Sequence, residues 1–70
     1  IDEVNLSRRN MLIMTIELLP NNYSTYQISS VIHRLTKEDV AVIMPMIAAK
    51  NSSHHSRNMF MSELKKILIK

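Results

Sequence analysis

The side chains that could do chemistry in this chain are few: six carboxylates, three histidines, a scatter of hydroxyls, and no cysteine at all. General acid and base catalysis needs two such groups to converge on one substrate. The carboxylates are Asp2, Glu3, Glu17, Glu38, Asp39 and Glu63, and most stand where helix capping or a solvated face already accounts for them. Glu38 and Asp39 are neighbours, so on a helix they diverge by about 100° and cannot meet over one bond. A nucleophile would have to be a serine or threonine with His33 as its base. The chain contains no glycine, and so offers neither a glycine-lined anion site nor a strained nucleophile turn. His54 and His55 are adjacent and lack the i, i+4 spacing of a helical metal pair, which makes them solvated turn residues. Without cysteine there is no thiolate zinc site and no disulfide. The expectation is a non-enzymatic protein with no cofactor, no metal and no small-molecule substrate.

Macromolecular binding is the remaining class. The formal charge is +3 with a pI near 9.6, and the basic residues crowd the stretch from Lys50 to the end, with Lys50, Arg57, Lys65, Lys66 and Lys70 against Glu63 alone. That asymmetry suits an anionic partner without demanding one. In a DNA-binding reading the first two helices, joined by Pro-Asn-Asn-Tyr-Ser, form a helix-turn-helix. The second helix then offers Gln27, Ser30 and Arg34 to a groove, and Lys65 and Lys66 contact phosphate, as in a small transcriptional regulator. Against this, the reading helix carries one full positive charge, and the next helix opens with Glu38 and Asp39, which repel phosphate.

Protein binding accounts for more of the sequence. Hydrophobic residues make up 46% of the chain, and six are methionine against three aromatics. Methionine fills gaps in cores and also lines adaptable binding surfaces. Two stretches are apolar nearly all round. Val40 to Ala49 is ten residues with no charge and no hydrogen-bonding side chain, too short for a bilayer span and predicted to be a helix buried on almost every side. Met11 to Leu19 holds seven apolar residues in nine. A 70-residue chain buries only about 60% of its surface, enough to enclose one such helix and hardly two. The surplus points to a homodimer or a partner groove, with Met11, Met14, Leu18, Val42, Met46 and Met59 as candidate interface residues.

Four short helices must position these residues. The first starts at Asp2 or at Ser7. A start at Ser7 puts Arg8 and Arg9 at the positive end of the helix dipole, whereas a start at Asp2, stapled by Ile1 and Leu6, avoids that conflict. Pro20 stops this helix at Leu19. The second begins with a Ser24/Gln27 capping box and a Tyr23/Ile28 staple, then repeats apolar residues at Ile28, Val31, Ile32 and Leu35. Thr36 caps the third, Glu38 and Asp39 complement its dipole, and Pro45 should kink it. After the turn Asn51, Ser52 and Ser53, a last helix covers Ser56 to Ile69 with Phe60, Leu64, Ile67 and Leu68 on one face. No strand alternation appears anywhere.

In its three helices and its Phe60, Leu64, Ile67 ending, the segment from Ile28 to Lys70 resembles the small helical module that ends the phosphoproteins of some paramyxoviruses. The first helix has no place in a three-helix module and no diagnostic motif accompanies the likeness, so no residue role is carried over from it.

The combined expectation is an all-α, compact bundle of four short helices, one domain over residues 1 to 70 and dimeric. Its function would be that of a small regulatory or adaptor protein acting on a protein partner or on itself. The opening Ile-Asp-Glu-Val lacks the parts of a secretory signal, and no stretch is long enough to span a membrane, so a cytoplasmic protein with no membrane partner is expected.

Overall fold

The computed structural model describes residues 2 to 69, and side-chain surroundings from 3 to 69. Four helices follow in order: α1 (Asp2–Glu17), α2 (Thr25–Arg34), α3 (Lys37–Ala49) and α4 (His54–Leu68), with no strand among the described residues. The molecule is compact and all-helical, with a Cα radius of gyration of 11.5 Å.

The boundaries have local causes. α1 starts at Asp2, so Arg8 and Arg9 stand well over a turn inside it, away from the unfavourable end of the dipole. The Ile1 half of its predicted staple lies outside the described residues. α1 ends at Glu17, two residues before the predicted Leu19, because the restriction imposed by Pro20 is felt through a turn at Leu18 and Leu19. At the start of α2 the Gln27 side-chain oxygen accepts the Ser24 N–H at 2.8 Å, and the flanking Tyr23 and Ile28 are both buried, as a capping box with a staple requires. α3 is capped reciprocally: Asp39 Oδ2 accepts the Thr36 N–H at 2.9 Å, and Thr36 Oγ1 accepts the Asp39 N–H at 3.3 Å. α4 begins two residues earlier than predicted, because Ser53 Oγ accepts the Ser56 N–H at 3.2 Å and so acts as the cap. His54 and His55 therefore belong to the first turn of α4 rather than to the loop, and both are exposed.

One cluster forms the core: Leu12 and Ile16 of α1, Tyr23, Ile28 and Val31 of α2 with its entry, Leu35 at the corner, Val40, Ile43 and Ile47 of α3, and Phe60 and Leu64 of α4. Within each helix these residues recur at three- and four-residue spacing, the mark of one buried face. Tyr23 and Phe60 meet edge to face, with ring centroids 5.8 Å apart at 82°, a geometry favoured by the ring quadrupoles.

The enclosure predicted for Val40 to Ala49 does not occur. Only Val40, Ile43 and Ile47 are buried, while Ala41, Val42, Pro45, Ala48 and Ala49 are exposed and Met44 and Met46 half-buried. The reason is geometric. α3 packs chiefly on α4 and α1 chiefly on α2, so the outer side of α3 has no neighbour among the described residues. α3 continues unbroken through Pro45, which sits on that outer side.

Two loops close one end of the bundle together. The Ser53 N–H donates to Asn21 O at 2.7 Å, the buried Ser56 hydroxyl donates to Tyr23 O at 2.8 Å, and Lys50 Nζ donates to Leu19 O at 3.1 Å. These bonds satisfy backbone groups that helix ends leave open. They also tie the α1–α2 connection to the α3–α4 connection.

Candidate protein-binding face

α1 has two working faces. At about 100° per residue, Leu12 and Ile16 point one way and are buried, at 4% and 0% exposure. Val4, Ser7, Met11, Met14 and Leu18 fall within about 80° of one another on the opposite side. There Val4, Met11, Met14 and Leu18 are 71%, 65%, 62% and 83% exposed. Leu18 lies just past the helix, but its N–H still donates to Met14 O at 3.2 Å, so it extends the same surface. The stripe has the 7-residue repeat of a helix seam, with Val4, Met11 and Leu18 in one row and Ser7 and Met14 in the other.

The inner face is held by charge as well as by packing. Arg8 reaches the Asp39 carboxylate with Nη1 at 2.9 Å and Nη2 at 3.2 Å, and Arg9 Nε reaches it at 2.8 Å. Arg8 Nη1 also donates to Arg34 O at 3.0 Å, bonding to the last residue of α2. The Asp39 side chain has no solvent exposure. Burial pushes its pKa up, but hydrogen bonds from Arg8, Thr36 and Arg9 more than reverse this and hold it well below the usual carboxylate range. Charges in the sequence had suggested a dipole role for Asp39, but not this one. The signal that could have found it is the pair of adjacent arginines, Arg8 and Arg9, on α1.

Beside the stripe, α1 and the end of α2 enclose a shallow groove of about 540 Å³, with Val4, Met11 and Leu12 as floor and Glu3, Arg8 and Arg34 around it. Covering one side chain of the Val, Leu or Met kind is worth about 1.5–3 kcal/mol. Four together come within the cost of association, about 4–15 kcal/mol.

The other candidate interface residues are placed differently. Val42 is 44% exposed on the outer side of α3. Met46 and Met59 are half-buried and pack against the core, and Met59 Sδ also accepts the Thr25 hydroxyl at 2.8 Å. The six therefore do not form one surface; Met11, Met14 and Leu18 do.

Of the nucleic-acid candidates, Gln27, Ser30 and Arg34 share the exposed side of α2 at i, i+3, i+7 spacing, and Lys65 and Lys66 are exposed on α4. Part of this set is already engaged. The Gln27 side-chain oxygen serves the cap, and Lys66 Nζ lies 3.2 Å from Glu63 one turn away. Lys70 lies outside the described residues. Among the described residues no three His, Asp or Glu side chains gather closely enough to hold a metal ion, and no helix is long and apolar enough to cross a membrane.

Set against family models, curated proteins and solved structures, the chain has no match.

Proposed function

We propose that this chain is a small non-enzymatic regulatory or adaptor protein that works by binding protein and pairs with itself as a homodimer. The observation that carries the reading is the outward stripe of α1. Val4, Met11, Met14 and Leu18 stand in water on a helix whose other face is already satisfied by Leu12, Ile16 and the Asp39 ion pair. Isolated apolar residues on a surface are ordinary; four in helical register on one face mark a contact. The cysteine-free composition fits a reducing, cytoplasmic setting.

Sedimentation velocity across the micromolar range tests this directly. The wild-type chain should show a concentration-dependent dimer, and Met14→Asp should move it to monomer with its helical circular dichroism intact. A wild-type monomer throughout overturns the reading. The competing reading, a DNA-binding regulator, draws on the exposed Gln27, Ser30 and Arg34 row. It would replace the first if duplex DNA were shifted at low salt and Arg34→Ala or neutralised Lys65 and Lys66 abolished the shift.

A further inference from the structure

Resting on the reading that the chain self-associates, we infer that the partner on α1 is α1 of a second copy, lying parallel and in register, with Glu3 of each copy seated in the other's groove against Arg8 and Arg34. The helix geometry leads there. Val4, Ser7, Met11, Met14 and Leu18 repeat with alternating steps of three and four, the period by which one helix packs along another over its length. The stripe points away from the core, about 140° from the direction of Leu12 and Ile16, so a second bundle meets no obstruction from the first. Such a contact is self-complementary about a two-fold axis, as homodimer interfaces generally are.

Charge decides the orientation. Glu3 flanks the stripe on one side and Arg8 on the other. In a parallel pair each flanking residue faces the one five positions on in the other helix, which sets Glu3 beside the second copy's Arg8 at both edges. Arg8 spends Nη1 and Nη2 on Asp39 but is still 32% exposed. The neighbouring Arg34 is exposed and makes no ion pair among the described residues. In an antiparallel pair with Val4 opposite Met14, Arg8 would face Arg8 and Glu3 would face Glu17, so that like charges meet. The size of the contact sets its strength. An α1 of 16 residues is about 24 Å long, and one such helix face falls short of the roughly 800 Å² per partner of a standard stable interface. The dimer is thus a weak, micromolar one.

Because the chain has no cysteine, single-cysteine variants under mild oxidation with diamide read the geometry. Val4→Cys and Leu18→Cys should each crosslink to themselves in high yield. Asn5→Cys, exposed but off the stripe, should not. Glu3→Lys should weaken the dimer about two- to thirtyfold, the range of the two symmetric exposed ion pairs it removes. A dimer in which Val4→Cys links to Met14→Cys in a mixture, and not to itself, overturns the parallel register while leaving self-association standing. A dimer in which no stripe position crosslinks overturns α1 as the interface. A wild-type chain that stays monomeric removes both this inference and the reading beneath it.

Discussion

Arg8 of α1 holds Asp39 of α3 with both terminal guanidinium nitrogens, Nη1 2.9 Å from Oδ2 and Nη2 3.2 Å from Oδ1, across 31 positions of sequence. Asp39 is at once the N3 residue of the α3 capping box and the acceptor for Arg8 and Arg9. A single carboxylate thereby starts one helix and anchors another. The two roles are lost together when it is removed. Breaking a buried pair costs about 3–5 kcal/mol, but Arg8 and Arg9 keep 32% and 26% exposure and can turn to water. Asp39→Ala is therefore expected to destabilise by about 2–3 kcal/mol, cap included. Arg8→Ala should do less, because Arg9 and Thr36 still satisfy the carboxylate. Urea denaturation of the two variants, compared at equal m-value, checks the order.

The same carboxylate makes stability depend on pH with a definite sign. Its folded pKa lies below the ordinary, unfolded value of about 3.9. The stabilisation is therefore fully present above that value and is lost as pH falls through the range between it and the folded value. Wild type should lose stability relative to Asp39→Asn from about pH 5 downward, and the gap between them should be constant from pH 6 to 8. A gap unchanged down to pH 2.5 would show that folding does not shift the Asp39 pKa, so that its carboxylate contributes no pH-dependent stability.

Tyr23 makes a separate prediction. Its hydroxyl is buried and makes no well-formed hydrogen bond; burial raises its pKa, opposed by a loose approach of the Ser52 side chain and by the charge of Arg57. A buried donor left unpaired is a liability of about 1–3 kcal/mol. Tyr23→Phe keeps the ring against Phe60 and removes the liability, so thermal denaturation should show it no less stable than wild type and as much as about 1 kcal/mol better. Phe60→Ala, which empties the centre of the same pair, should cost about 3–5 kcal/mol.

Pro45 stands inside α3 on its exposed side. Proline in a helix interior is about 3 kcal/mol worse than alanine, because it removes one backbone bond and crowds the preceding turn. Pro45→Ala should raise the melting temperature, with a gain of about 1–2 kcal/mol after allowing for the bond partner already solvated. Since α3 is not the proposed contact, sedimentation of this variant should match wild type. A change in assembly would move the interface to α3.

The fold was largely legible in the chain itself. The Ser24/Gln27 box, the Thr36 cap and the Ile28, Val31, Leu35 row each stand where their local pattern put them, because capping and helical periodicity depend on residues within one or two turns. The two ends that differ, Glu17 in place of Leu19 and His54 in place of Ser56, are places where a turn and a serine cap act over one or two residues more than the pattern shows.

What the sequence by itself determined is which stretches become helices, which face of α2 and α4 goes inward, and that more apolar surface exists than 70 residues can cover. Only the tertiary structure decided where that surplus lies. Val40 to Ala49 and Met11 to Leu19 read alike as apolar runs, yet α3 shows alanines, Val42 and a proline to water while α1 shows Met11, Met14 and Leu18. The choice depends on which helices become neighbours, and that in turn depends on contacts such as Arg8 with Asp39 that join distant parts of the chain. No local pattern encodes such a pairing, because its free energy exists only once the two helices have met.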